Sequence, residues 1–357
     1  MAKLLMKGNE AIAEAAIQAG CRYFFGYPIT PQNQIPEYMS KRMPQVGGCF
    51  LQAESEVAAI NMVYGAAGAG ARVMTSSSSP GISLKQEGIS YIAGAELPCL
   101  IVNMVRGGPG LGGIQAAQGD YFQATKGGGH GDYHLIVLCP SSIQEAVELV
   151  FDGFDMADRY RNPVMLLGDA MLGQIMEPVT FPDKQIDPME SLSKKDWAAT
   201  GWDGKRERAI INSLYIEPND LEAVNNRLQA RYKVIAEHET RVSCEQVEDA
   251  EVIVTAYGST ARIVRSAIAL ARAEGIKAGM VRPITVWPFP SKVMHDAACR
   301  EQVKGVLTVE MSAGQMVEDV RLAVDGGKPV DFYGRTGGVV PEPRDILAHI
   351  RAIAGRD

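Results

Sequence analysis

Residues able to do chemistry concentrate in the first 180 positions. The run Ala53-Glu54-Ser55-Glu56-Val57-Ala58-Ala59-Ile60 opens a helical pattern that reaches Gly65, Gly68 and Gly70. Acids in a first helical turn complement the macrodipole, and Glu54 is read that way. The pattern after Glu56 is almost uncharged and rich in small residues, as in a buried helix, so its carboxyl is expected out of water, where an acid can share or donate a proton. Arg106 ends an apolar run and introduces ten glycines within the 27 residues from Val105 to Gly131. Its planar fork suits a carboxylate or phosphate under a closely approaching loop, and equally a strand-end salt bridge. Thr30, bracketed by Pro28 and Pro31, either caps a helix over 32–42 or points its hydroxyl into a site. Ser76 to Ser79 lack the surroundings of a nucleophile elbow and read as turn hydrogen-bonders. His130 and His134 read as structural or exposed.

These residues follow short apolar runs of strand length: Tyr23 to Tyr27, Arg72 to Ser76, Leu100 to Val105, Leu135 to Cys139 and Val164 to Gly168. Helical patterns lie between most of them. Ala11, Ile12, Ala15, Ala16 and Ala19 form one stripe, and Ser142 with Glu145 reads as a capping box for a helix toward Tyr160. Alternation of this kind predicts an α/β fold with a parallel sheet covered on both faces, whose ligands sit beyond the carboxyl ends of the strands. Gly65, Gly68 and Gly70 lie at the end of a helix and before a strand, the reverse of a dinucleotide fingerprint, and are assigned to packing and a C-cap. The same strand and helix logic returns at Val252 to Tyr257, Thr260 to Glu274, Gly279 to Arg282, Gly305 to Glu310 and Val330 to Tyr333.

Residues 1–180 hold 24 of the 37 glycines and 27 charged residues, whereas 181–250 hold two glycines and 24 charges. The chain is therefore divided into a first domain at 1–180, a polar connecting region at 181–250 and a smaller domain at 251–357. The net charge of −7, with 46% apolar residues, argues against a nucleic-acid or anionic-membrane partner. No run approaches the ~20 apolar residues of a bilayer span. Glu10 and Glu14 interrupt any signal-peptide core, and a cytoplasmic location is expected. Six scattered cysteines are expected to be reduced and buried; they lack the spacing for a metal or an iron–sulfur cluster of the chain's own.

In this order the segments resemble the α subunit of the 2-oxoacid:ferredoxin oxidoreductases, most closely the branched-chain, 2-oxoisovalerate type. The matching residues are Gly8-Asn9-Glu10-Ala11, Tyr27-Pro28-Ile29-Thr30-Pro31, Glu56 with Gly65, Ser79-Pro80-Gly81, Arg106 with its glycines, and Gly129-His130-Gly131. Arg282-Pro283-Ile284, Pro288-Phe289-Pro290, Val309-Glu310, Gly314-Gln315-Met316 and Gly337-Gly338 extend the likeness to a transketolase C-terminal-like domain. The resemblance implies a pyrimidine-type thiamine-diphosphate-binding domain at 1–180. It sets Glu56 against the aminopyrimidine, where a carboxylate at the ring nitrogen favours the tautomer that activates the cofactor, and sets Thr30 and Arg106 on the carbonyl and carboxylate of the substrate. It further implies cofactor contacts at Tyr27, Pro28, Ile29, Ser79, Pro80 and Gly81. The reaction implied is coenzyme-A-dependent oxidative decarboxylation of a 2-oxoacid to acyl-CoA and carbon dioxide, with reduction of ferredoxin.

The Gly-Asp-Gly and downstream Asn that hold Mg²⁺ in thiamine enzymes have no good match. Gly168-Asp169-Ala170 and Gly201-Trp202-Asp203-Gly204 read as coincidences. No metal ligand is assigned to this chain, and Mg²⁺, the diphosphate and the iron–sulfur clusters are expected on partner subunits: a diphosphate-binding β subunit, a γ subunit and a ferredoxin-type subunit. Ser312 stands where asparagine is common in related subunits. Pyruvate and 2-oxoglutarate are the alternative substrates, the latter needing a second basic group that is not obvious in the sequence. A non-catalytic scaffold subunit is the alternative of another class, which loss of Glu56 or Arg106 would favour.

Overall fold

The computed structural model describes residues 3–183, 186–193, 195–202 and 204–356. Seven strands form the first sheet in the order Thr285–Trp287, Ile136–Leu138, Val164–Asp169, Leu100–Val105, Val73–Ser77, Tyr23–Gly26 and Cys49–Gln52. All neighbours are parallel except Thr285–Trp287, which runs antiparallel to Ile136–Leu138. The central strands Val73–Ser77, Leu100–Val105 and Val164–Asp169 are buried along their whole length, as strands covered on both faces must be. The helices Glu56–Gly68 and Ser79–Gly94 pack on one face and Gly8–Gln18 and Ile143–Tyr160 on the other, each face with its own apolar core. The capping box is half realised: Ser142 Oγ accepts the Glu145 N–H, but the Glu145 carboxylate turns to Ser141 and to a two-pronged ion pair with Arg282.

A second sheet has the order Val330–Gly334, Gly305–Glu310, Val252–Thr255, Ala278–Pro283 and Val242–Glu245, parallel but for the last strand. Thr285–Trp287 lies in the chain between strands Ala278–Pro283 and Gly305–Glu310 of this sheet yet pairs with the first, and so ties the two sheets together. Trp287 stacks on His134 with centroids 4.5 Å apart, which gives that histidine a packing role. Of the connecting region, the long helix Pro218–His238 docks through Val224, Leu228, Tyr232 and Ile235, while 201–217, of which Asp203 lies outside the described residues, carries no helix or strand among those described.

Strand Cys49–Gln52 was invisible in the sequence because it is a four-residue edge strand with mostly exposed side chains. The cysteines are only in part as expected. All six are free, but Cys49 and Cys244 are exposed. Helix Glu56–Gly68 also departs from a buried helix, since Val57, Asn61 and Gly65 face outward. Gly70, with φ of +84°, ends that helix as the C-cap reading required.

Candidate active site

Helix Glu56–Gly68 begins where Ser55 Oγ accepts the Ala58 N–H. This cap fixes the first turn and sets Glu56, 6% exposed, at the carboxyl end of the first sheet. Helix Ser79–Gly94 passes against it with no side chain at Gly81. A Cβ there would lie 2.7 Å from Glu56 Oε1 and 2.1 Å from Ser77 Oγ. Gly81 is therefore required by the approach of this carboxyl and this hydroxyl. Ser77 Oγ and Ser78 Oγ are buried without partners. In a native interior such groups await a ligand or water.

Ser79 bridges to the next strand, its hydroxyl accepting the Arg106 N–H at 3.1 Å. The Arg106 side chain, 7% exposed, donates one nitrogen to the Thr30 carbonyl and the other to the Leu111 carbonyl, each at 3.0 Å. Its Nε is buried and unpartnered. Among the described residues Arg106 thus makes no salt bridge; its fork joins the Tyr27–Pro31 loop to the glycine loop. Thr30 does not cap a helix either. The following helix is Gln34–Arg42, and among the described residues the exposed Thr30 hydroxyl meets only the Asn33 amide, at 3.4 Å.

The Tyr27–Pro31 loop is held from beneath by residues whose roles were not legible in the sequence. Gln32, fully buried, donates to the Tyr27 carbonyl and accepts from Ser76 Oγ at 2.5 Å. Asn9 and Gln174 both donate to the Pro31 carbonyl at 2.9 Å. Buried Lys85 donates to Thr75 Oγ1 at 2.6 Å and to the Ser76 carbonyl at 3.2 Å. The one signal for Lys85 is a charge inside the apolar stripe of Ile82, Ile89 and Ile92.

The glycine loop separates two clefts. One, of about 580 Å³, is reached past Thr30, Gln34, Ile114, Met171 and Val340, and no charged side chain lines it. The other, of about 510 Å³, lies between Gly107–Pro109 and the second sheet, with Asp120, Ser312 and Gln315 on its walls. Burial holds the Asp120 carboxyl above its usual range, against hydrogen bonds from Asn103 and Ser79. Glu310 is fully buried and likewise raised by burial. It accepts the N–H groups of Gln315, Met316 and Val317 and the Ser312 hydroxyl, so Ser312 belongs to this turn. Gln315 and Gln118 then lock the glycine-rich segment to the second sheet through the Gly119 and Tyr257 carbonyls.

Tyr27, Pro28, Ile29, Thr30, Glu56, Ser79, Pro80, Gly81 and Arg106 thus meet at one end of one sheet. His130 does not join them. It stands edge-on to Tyr91, about 18 Å along the helix from Ser79 at 1.5 Å per residue. Asp169, 3% exposed, caps the short helix Ala170–Gln174 through the Leu172 N–H and bonds to Ser259. Among the described residues no group of His, Cys, Asp or Glu is arranged to hold a metal, and no helix is long and apolar enough to cross a membrane.

The pyruvate flavodoxin/ferredoxin oxidoreductase thiamine-diphosphate-binding family matches residues 14–248, and core domain II of pyruvate:ferredoxin oxidoreductase matches 250–346. The chain is 50% identical to ketoisovalerate oxidoreductase subunit VorB of Methanothermobacter thermautotrophicus, over 99% of each chain. It is 37% identical to 2-oxoglutarate synthase subunit KorA of the same organism, over 96% of each. A solved 2-oxoglutarate:ferredoxin oxidoreductase from Magnetococcus marinus, with 2-oxoglutarate, coenzyme A and succinyl-CoA bound, superposes with a TM-score of 0.86 at 27% identity. That alignment covers 98% of this chain and 65% of the other. A split-gene transketolase shares the fold, at a TM-score of 0.61 and 14% identity. The chain therefore belongs to the pyruvate flavodoxin/ferredoxin oxidoreductase family, as a thiamine-diphosphate-binding subunit of a 2-oxoacid:ferredoxin oxidoreductase.

Proposed function

We propose that this chain supplies the aminopyrimidine side of the active site for coenzyme-A-dependent oxidative decarboxylation of 2-oxoisovalerate, with electrons passing to ferredoxin. The observation that carries the reading is the Glu56 carboxyl in the cradle left by Gly81, with the Ser77 hydroxyl, buried and without a partner among the described residues, bordering the same cradle. A carboxyl with unspent donors around it fits a heteroaromatic ring that has a basic nitrogen and an exocyclic amine. When bound, thiamine diphosphate supplies the carbon nucleophile and the electron sink for decarboxylation. Glu56 would hold the proton at the ring nitrogen, and Ser77 would satisfy the amine. Tyr27, Pro28, Ile29, Ser79 and Pro80 would wall the ring.

Arg106 orients the substrate carboxylate. Its fork already holds the Leu111 carbonyl, so a carboxylate that takes this nitrogen releases the glycine loop, and binding is coupled to loop position. Thr30, with an almost unengaged hydroxyl, meets the 2-oxo group. The uncharged cleft beyond Thr30 favours a branched aliphatic substituent over a second carboxylate. The same preference is in keeping with the likeness to VorB, named a ketoisovalerate oxidoreductase subunit.

The diphosphate and its Mg²⁺ fall to a β subunit, and iron–sulfur clusters to a ferredoxin-type subunit beside a γ subunit, since the described residues offer no ligand set for either. Coenzyme A is the co-substrate. Six free cysteines are in keeping with a cytoplasmic location. The test is copurification of the complex from its source, then coenzyme-A-dependent dye reduction with 2-oxoisovalerate, pyruvate and 2-oxoglutarate, with Glu56→Gln as the control. Turnover fastest on 2-oxoisovalerate and lost in an assembled Glu56→Gln complex supports the reading. A fully active Glu56→Gln complex removes it in favour of a scaffold role.

A further inference from the structure

We propose that Lys85 is a positioning residue for Glu56, its buried ammonium being the counter-charge that holds the Glu56 carboxylate at the ring-binding position. The inference rests on the role proposed for Glu56. Helices Glu56–Gly68 and Ser79–Gly94 pack in register, Gly81 against Glu56 and Gly88 against Ile60. Lys85 lies between those two contacts, one turn beyond Gly81 on the same helix face. Its side chain is fully buried, and it is anchored by Thr75 Oγ1 and the Ser76 carbonyl on the strand that delivers Ser77 to Glu56.

Neither anchor carries a charge, and a lysine this deep without a counter-ion gives up its proton. The titratable groups whose charge it feels are Glu56, from the facing helix, and Cys99, from the segment before strand Leu100–Val105. Burial pushes Cys99 up to about 12, which leaves it neutral near pH 7 and leaves Glu56 as the acting anion. Burial pulls Lys85 down to about 7, with Glu56 opposing the fall. The Glu56 charge therefore favours the ammonium form of Lys85, and the Thr75 hydroxyl with the Ser76 carbonyl fixes where that ammonium sits.

The experiment uses the full chain free of cofactor, with lysines labelled at Cε for NMR, so that it does not depend on turnover. One lysine resonance, absent in Lys85→Met, is expected to titrate near neutral pH. In Glu56→Gln its midpoint should fall by about one unit or more. An unmoved midpoint overturns the inference. In the assembled complex Lys85→Met should lower kcat by about tenfold, the equivalent of one pKa unit of lost interaction, with KM little changed. Equal loss in both, or none in either, also counts against it. Should Lys85→Met not fold, Thr75→Val identifies the resonance by displacing it, and the Glu56→Gln midpoint still decides. A Glu56→Gln complex with full activity defeats the Glu56 reading itself, whereas an inactive Glu56→Gln with an unmoved lysine midpoint defeats only the role of Lys85.

Discussion

Replacing Gly81 by alanine adds one methyl group at the point where helix Ser79–Gly94 meets the candidate catalytic acid. The new Cβ would stand 2.1 Å from Ser77 Oγ and 2.7 Å from Glu56 Oε1, so both side chains must move. Ser77 Oγ, which has no hydrogen bond to lose, can rotate away. Glu56 can yield only by displacing its carboxyl from the ring-binding position. Alanine gains about 1 kcal/mol over glycine in a helix, and overpacking costs about 1–3 kcal/mol, so the net destabilisation is at most about 2 kcal/mol. The fold and the complex should survive. Displacement of a catalytic group by about 1 Å costs on the order of 10²-fold in rate. The assay is denaturant unfolding of the chain alongside dye reduction by the assembled complex. Adding Ser77→Ala removes the shorter clash and should restore stability without restoring turnover. A Gly81→Ala complex within threefold of wild-type turnover would refute the claim that this contact places Glu56.

Arg106→Lys keeps the charge but can hold only one of the two carbonyls, losing a charge-assisted hydrogen bond of about 1.5–3 kcal/mol; the expected result is a raised KM for the 2-oxoacid and easier protease cleavage of the glycine loop, read by kinetics and limited proteolysis. Glu310→Gln turns an amide NH₂ toward backbone N–H donors, and urea unfolding should show a loss of about 2 kcal/mol or more. Burial raises the Glu96 carboxyl, but hydrogen bonds from Arg227 and Arg231 outweigh it and hold the group below its usual range. The folded state then binds this proton less readily than the unfolded chain. The stability so gained is present above the unfolded carboxylate pKa and is lost as pH falls through the folded value. Glu96→Gln should therefore flatten the acid side of the stability profile measured by urea unfolding between about pH 5 and pH 2.

Much of the site was legible because its residues fall on strand ends. Apolar runs of four to six residues predicted the strands, and the loops after Tyr23–Gly26, Val73–Ser77 and Leu100–Val105 carry Tyr27–Pro31, Ser79–Gly81 and Arg106 in turn. Thr30 and Arg106 each had two readings in the sequence. The structure removed one reading of each: Arg106 spends its fork on backbone carbonyls, one of them 76 residues distant, and Asn33 stands at the helix N-terminus in place of Thr30. Gln32, Asn9 and Lys85 were missed because a polar residue inside a helical pattern carries no mark of what its far end will touch.

The sequence by itself determined the α/β class, the strand ends that gather the chemistry, and the presence of Glu56 in a first helical turn, since these depend on local periodicity and composition. Only the tertiary structure decided that the missing side chain of Gly81 admits the Glu56 carboxyl, that Arg106 ties two loops together, and that strand Thr285–Trp287 returns to the first sheet. Each of these is a contact between segments distant in the chain. Its energy comes from burial and close approach, quantities that exist only once the chain has closed on itself.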